Sequence, residues 1–322
     1  MDHSLNGCSP EQREALNSPI PSIRTPFTKD RQIDFDGVRS QVDFVIAGGA
    51  KTIMLTWGDS LHSVMTDDEI AHLAKVVVKH TRGRAKVIAA DNIWATKKAV
   101  AYGKYCAEIG ADFLMLLPPD WAGQTTKDSI VSHFRAVSEH IPTMLVTAFF
   151  AQTGVFGPRS SAFNMEVIHA LYDQVSGLVA VKDDVLGDFG MNLCTTVHDR
   201  WAVVSGGGFK NHTLQIPYGV DGYLSLFMSF KPGIDWYYWK AIQTNDYGTS
   251  WKAIREIELP MKKYFFSVSG GFNPVVHGIL ELFGICKRYL PLPYHTLSDQ
   301  QMEELADFLG QISHLWNEPS QQ

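Results

Sequence analysis

The chain has 322 residues, 45 % of them apolar and 19 % charged. That balance supports a sizeable core and excludes a disordered or fibrous chain. Lys+Arg 28 against Asp+Glu 34 leaves a formal charge of −6 with no basic run, which argues against nucleic-acid and anionic-membrane partners.

Cys8, Cys106, Cys194 and Cys286 lie far apart with no CxxC pair, so neither a disulfide framework nor a zinc knuckle is indicated. Residues 1–19 are polar, lack the apolar centre of a signal peptide, and read as an N-terminal arm. No stretch approaches the roughly 18 uninterrupted apolar residues of a membrane span. The expectation is a cytoplasmic protein.

From residue 20 to 245 short apolar runs alternate with amphipathic stretches. The runs Ile20–Thr25, Thr52–Thr56, Lys86–Ala90, Phe113–Leu117, Met144–Ala148, Leu178–Val181, Trp201–Ser205 and Gly222–Leu226 read as strands. Most are continuously apolar, as parallel strands covered on both faces are. The stretches between them predict helices over Asp34–Ala47, Thr66–His80, Ala95–Ile109, Lys127–His140, Phe163–Gln174, Asp188–Asp199, Asn211–Tyr218 and Pro232–Thr244. Thr66 and Glu69 stand at capping-box spacing.

Such strict alternation gives a parallel sheet with right-handed crossovers, and eight units can close into a (β/α)8 TIM barrel over 20–245. A doubly wound open sheet is the rival, but no GxGxxG follows the first strand and no P-loop occurs. The glycines of Ser205–Phe209 read as a tight βα turn or as a weak phosphate signal. Beyond residue 245, Ser250–Phe265, Pro274–Ile285 and Ser298–Ile312 read as three helices without strands, a C-terminal helical extension over 246–316 packed on the barrel.

In such barrels the chemistry sits where strands pass into βα loops. Thr56, Asp59 and Ser60 follow strand two, Asp91 strand three, and Asp120 strand four. Thr147 ends strand five and runs toward Gln152. Lys182, Asp183 and Asp184 follow strand six, Ser205 and Gly206 close strand seven, and Leu224 lies on strand eight. Lys182 is the most pointed of these. It follows Leu178-Val179-Ala180-Val181, and an amine so placed is kept from bulk water; desolvation favours its neutral, nucleophilic form. A neutral lysine in a pocket is what imine formation with a carbonyl compound requires. The plainer alternative is a lysine paired to Asp183 or Asp184, or one reaching to the rim. The aspartates serve equally as helix caps, as acid–base groups or as oxygen ligands.

Arg24-Thr25-Pro26-Phe27, Gly48-Gly49-Ala50, Ala180-Val181-Lys182-Asp183, Gly219–Ser225 and Asn273-Pro274-Val275-Val276, in that order and spacing, resemble the dihydrodipicolinate synthase and N-acetylneuraminate lyase family of pyruvate-type class I aldolases. The resemblance covers residues 20 to 312. It implies a (β/α)8 barrel with a C-terminal helical bundle, a homo-oligomer (dimer or tetramer), a small 2-oxo acid substrate, no cofactor and no metal. It also implies Schiff-base chemistry at Lys182.

The departures from the family pattern are as informative. The family's Gly-Thr-Thr-Gly-Glu-like carboxylate loop falls on Thr56–Leu61, which makes Thr56, Asp59 and Ser60 substrate-binding candidates, although Asp59 would oppose an anion. Ser205, Gly206 and Leu224 are further substrate-binding candidates. The family's relay tyrosine falls on Val146-Thr147, making Thr147 the catalytic candidate there. The tyrosine after strand four is replaced by Asp120-Trp121, making Asp120 another. The arginine that holds a second carboxylate falls near Gln152. The expected function is a Schiff-base aldolase or dehydratase other than a true dihydrodipicolinate synthase. The alternatives are a non-catalytic family member with a binding or regulatory role, and a metal-dependent barrel lyase or hydrolase using the aspartates.

Overall fold

A computed structural model describes residues 7–117, 124–148, 161–268 and 270–315. Along the chain eight strands alternate with helices, the (β/α)8 barrel class that the sequence predicts, and further helices follow the eighth strand. The strands are β1 (Pro19–Pro21), β2 (Thr52–Met54), β3 (Lys86–Ala90), β4 (Phe113–Leu116), β5 (Thr143–Val146), β6 (Leu178–Asp183), β7 (Ala202–Ser205) and β8 (Gly222–Ser225). Each falls on a predicted run. By contact density the chain divides into two compact units. Among the described residues no helix is long and apolar enough to cross a membrane.

The first unit takes in Lys86–Leu224 with the N-terminal segment through Ser18. Its strands pair in parallel from β3 through β8, with one register shift between Thr143 and Met144 in the β5–β6 ladder. Nearly every strand side chain is buried, because helices such as Lys127–Ser138 and Gly187–Val197 cover the sheet.

The N-terminal stretch carries a helix of its own at Pro10–Leu16. Ser9 caps it with a full capping box to Gln12, and Pro10 sits in the first turn, where its missing N–H is no loss. Arg13 docks this helix. Its Nη1 donates to both Asp221 carboxylate oxygens at 3.0 Å, and its Nη2 to the carbonyls of His198 and Trp201 at 2.7 and 2.9 Å. Asp221 also accepts from the Val203 amide at 2.8 Å. Burial pushes the Asp221 carboxyl up from its usual range, while that amide and Arg13 pull it back. The end of the helix lies so close to β8 that a Cβ on Gly222 would stand 2.2 Å from the Leu16 carbonyl oxygen.

The second unit comprises Pro19–Ala85 and the chain from Ser225 on. Here Ser22 bridges Met54 in parallel, and the Ile23 amide donates to the Met54 carbonyl at 2.9 Å. Helix Asp67–Thr81 starts at the Thr66–Glu69 capping box, as its sequence predicts, and buries Ile70, Leu73 and Val77. The helix Pro232–Gln243 rests on the end of helix Phe35–Ala47: the Trp236 indole N–H donates to the Gly48 carbonyl at 2.7 Å. The predicted single helix Ser250–Phe265 is instead an α segment Tyr247–Lys252, a π turn Ala253–Glu258 and an α segment Leu259–Ser267. Pro260 is the physical reason, since it lacks an N–H and its ring collides with the preceding turn, so the helix widens before it. Helices Phe272–Leu282 and Asp299–Ile312 follow.

The contact at Gly222 gives a test. Gly222→Ala places a methyl group against backbone that cannot yield as a side-chain tip does. A loss of about 1–3 kcal/mol is expected, read as a lower urea midpoint with an unchanged m-value. Ala at the open position Gly233, which meets nothing within 4 Å, is expected to leave that midpoint in place.

Candidate active site

In the first unit, β6 runs two residues further than the apolar pattern suggests. Lys182 and Asp183 stay in the ladder, opposite Val204 and Ser205 of β7. Lys182 is therefore the penultimate residue of a buried strand, with 7 % of its side chain exposed. Its Nζ donates to both carboxylate oxygens of Asp184, at 2.5 and 2.6 Å. Among the described residues Asp184 is its sole side-chain partner. The ion pair that the sequence left as an alternative is thus present, and it sits at the end of the strand where barrel chemistry is placed. A charge-assisted pair of this length is among the stronger hydrogen bonds.

Asp183 plays a different part. Its carboxylate is fully buried and meets no cation in the described structure. It accepts from Thr147 Oγ1 at 2.9 Å, Gln215 Nε2 at 2.7 Å, and the amides of Val185 and Leu186 at 3.1 and 3.2 Å. Burial raises its pKa, and those donors pull it back. Gly190 leaves the room, since a Cβ there would stand 2.1 Å from Asp183 Oδ2.

Thr147 is fully engaged in the same knot. Its one hydroxyl proton goes to Asp183, and its oxygen accepts from the amides of Asp184 and Val185 at 2.8 and 3.2 Å. A hydroxyl has one proton and two lone pairs, and here all three are spent. Thr147 thus holds the turn after β6, with no proton or lone pair left over among the described residues.

Ser205 is buried, and its hydroxyl finds no partner among the described residues. Gly206 donates its amide to the Asp183 carbonyl at 2.8 Å, and a Cβ on it would lie 1.8 Å from Asp184 Oδ1. Leu224 is the half-buried third residue of β8. Asp91, at the end of β3, is completely buried and pushed up to about 7 by desolvation, against weak amide bonds from Trp94 and Leu117 at 3.4 and 3.5 Å. Asp120 and Gln152 lie outside the described residues.

In the second unit the loop after β2 is self-bonded. Thr56 Oγ1 accepts from the Asp59 amide at 2.9 Å. Ser60 is fully buried: its Oγ donates to the Ile23 carbonyl at 2.6 Å and accepts from the Thr56 amide at 3.0 Å. Its proton is therefore committed to the backbone. Asp59 is compensated, since Arg24 Nη1 stands 3.2 Å from its Oδ1 and Ser22 Oγ donates to its Oδ2 at 2.6 Å. The expected repulsion of an anion by Asp59 is accordingly offset by a guanidinium only 1 % exposed. Arg24 also reaches Asn273 Oδ1 at 3.4 Å and lies over the Phe272 ring. His277, fully buried with neither ring nitrogen partnered among the described residues, is depressed to about 3, first by burial and then by the Arg24 charge.

Sequence reasoning passed over Arg24, Gln215 and His277 as site residues, and left Asp184 open as a partner for the lysine, a helix cap, an acid–base group or an oxygen ligand. Arg24 carried the same signal as Lys182, a lone cation inside an apolar run. Gln215 and His277 carried none, because a buried polar residue on a helix cannot be told from an exposed one by spacing alone. Among the described residues no group of three or more His, Cys, Asp or Glu side chains could hold a metal ion. Asp59 and Asp184 each have their own cation, and Asp183 its own set of neutral donors.

Comparison with known proteins places the chain in a family. The dihydrodipicolinate synthetase family profile matches residues 15–312. A 4-hydroxy-tetrahydrodipicolinate synthase from Methanosarcina barkeri is 28 % identical over 301 residues, covering 91 % of this chain and 97 % of that protein. The crystal structure of dihydrodipicolinate synthase from Oceanobacillus iheyensis superposes with a TM-score of 0.79 at 20 % identity, covering 94 % of this chain and 99 % of that one. N-acetylneuraminate lyase from Fusobacterium nucleatum also gives 0.79, at 14 % identity, over 92 % of this chain and 99 % of that one. A buried strand-end lysine on a barrel that matches these proteins over nearly its whole length makes the chain a member of the dihydrodipicolinate synthetase family, an enzyme of the aldolase and lyase type.

Proposed function

We propose that this protein is a Schiff-base lyase, an aldolase or dehydratase, that acts on a 2-oxo acid through Lys182. The observation that carries the reading is the burial of Lys182 at the end of β6, with its amine held at 2.5 Å from a single carboxylate. Attack of the neutral amine on the ketone carbon, followed by loss of water, gives an iminium ion. That cation draws electrons from the neighbouring carbon. In the aldolase case the C–C bond one carbon further on breaks, the hydroxyl of the departing carbon gives up its proton as it becomes a carbonyl, and the enamine left behind is protonated. In the dehydratase case the neighbouring carbon loses a proton to form the enamine, which expels the protonated hydroxyl one carbon further on as water. No cofactor is needed, because the iminium is itself the electron sink.

The relatives carry the names 4-hydroxy-tetrahydrodipicolinate synthase and N-acetylneuraminate lyase. The residues of this chain argue against the first of these activities. A phenol can give and take a proton in turn, whereas Thr147 has no valence free for it. Gln152 near the arginine's place offers no charge to a second carboxylate. We infer a substrate with one carboxylate and a leaving group of different geometry. In the second unit Thr56 keeps a hydroxyl proton that is uncommitted among the described residues. Ser60 supports the loop, and Asp59 holds Arg24.

Three outcomes check this reading. Pyruvate with borohydride should add a stable mass that peptide mapping places on Lys182, and Lys182→Ala should abolish it; an adduct on another lysine, or none with any of a panel of 2-oxo acids, sinks the proposal. Asp59→Asn leaves Arg24 buried without its counter-charge, so it should lower stability by about 1–3 kcal/mol in a denaturant titration. Tighter binding of 2-oxo acids with unchanged stability would mean that the pair is not formed. With pyruvate and aspartate semialdehyde, coupled to the next reductase, turnover should stay at least a hundredfold below about 1 s⁻¹, the low end of ordinary enzymes; turnover at or above that value refutes the exclusion of the synthase activity.

A further inference from the structure

We propose that Asp184 is the acid–base group of the reaction, the carboxylate that takes the proton from Lys182 and hands it to the departing carbonyl oxygen. This rests on the Schiff-base reading above and adds the group that the altered relay position lacks.

Four observations converge on Asp184. Both of its oxygens lie within 2.6 Å of Lys182 Nζ, so it touches the atom that reacts. Its backbone is pinned, because its amide donates to Thr147 Oγ1 at 2.8 Å, and Thr147 is in turn fixed on Asp183. Space for its carboxylate depends on Gly206, where any Cβ would stand 1.8 Å from Oδ1. Its side chain is 24 % exposed against 7 % for the lysine, so it is the more accessible member of the pair. Asp183 beside it has neither the contact with the lysine amine nor the exposure: it is completely buried and accepts from neutral donors.

The proton path balances with this one group. The ammonium of Lys182 gives a proton to Asp184, and the neutral amine attacks the ketone carbon. The C–N bond forms, the carbonyl π electrons move to oxygen, and that oxygen takes the proton back from Asp184. The nitrogen of the carbinolamine, still carrying two protons, gives one to the Asp184 carboxylate. Asp184 then protonates the hydroxyl, which leaves as water while the nitrogen lone pair closes the C=N bond. Ammonium plus ketone has become iminium plus water, and Asp184 ends as a carboxylate beside the new cation. There it acts as counter-ion and keeps the imine protonated, the form that draws electrons.

The experiment measures the rate of pyruvate-dependent, borohydride-trapped adduct formation on Lys182 by intact mass, in the wild-type chain, Asp184→Asn and Asp184→Ala, each confirmed folded by its thermal melt. Loss of a positioned acid–base group should slow both variants about 10²- to 10⁴-fold. Added formate, a small carboxylate able to enter the space left by the side chain, should raise the Asp184→Ala rate at least tenfold, and should leave Lys182→Ala without adduct. Rates within severalfold of wild type, or a slow Asp184→Ala variant that ignores formate, would make Asp184 a structural partner only and overturn the proposal. No adduct in the wild-type chain would remove the Schiff-base reading, and this one with it; a normal wild-type adduct with an unaffected Asp184→Asn removes the acid–base role alone.

Discussion

A buried carboxylate without a cation organises the end of β6. Asp183 takes four hydrogen bonds from neutral donors: a hydroxyl that follows β5, an amide side chain at the end of a helix, and two backbone amides of its own turn. Leaving such a group unsatisfied in the interior is costly, so all four donors are held in place together. The turn that satisfies Asp183 also sets where Asp184 points, and Asp184 meets Lys182. The Lys182–Asp184 pair is thus supported by a polar knot of neutral donors around its neighbour.

The loop after β2 follows the same logic with opposite materials. There the buried group is a cation, Arg24, and the loop supplies a carboxylate for it at Asp59. Ser60 and Thr25 tie the loop to the segment that follows β1, and Ser60 ties it to its own backbone, through buried hydroxyls. Residues that would suit a carboxylate donor by type are here occupied by the backbone. Residue type alone therefore overstates how many hydroxyls in that loop are free for a ligand.

The fold was legible in the sequence because periodicity reports burial. Continuous apolar runs marked every strand, and capping boxes at Thr66 and Ser298 marked helix starts to within a residue. Lys182 stood out for the converse reason, as a charge where the pattern demands apolar residues. What remained hidden was pairing. Nothing in the order Lys-Asp-Asp says which acid meets the lysine; in the strand, Asp183 turns away while Asp184, two residues on, returns to the lysine's side. The helix at Pro10–Leu16 was hidden because seven residues are too few to show a period, even though Ser9, Pro10 and Gln12 spelled its start. The π turn before Pro260 was hidden because a proline announces a disturbance without saying what form it takes.

Gly206 ties the composition of two neighbouring strand ends together. The acid beside the lysine occupies the volume that a side chain on β7 would otherwise fill. In this chain the acid at position 184 therefore depends on the absence of a side chain at position 206. Enlarging residue 206 would push the carboxylate off the lysine amine without altering either member of the pair.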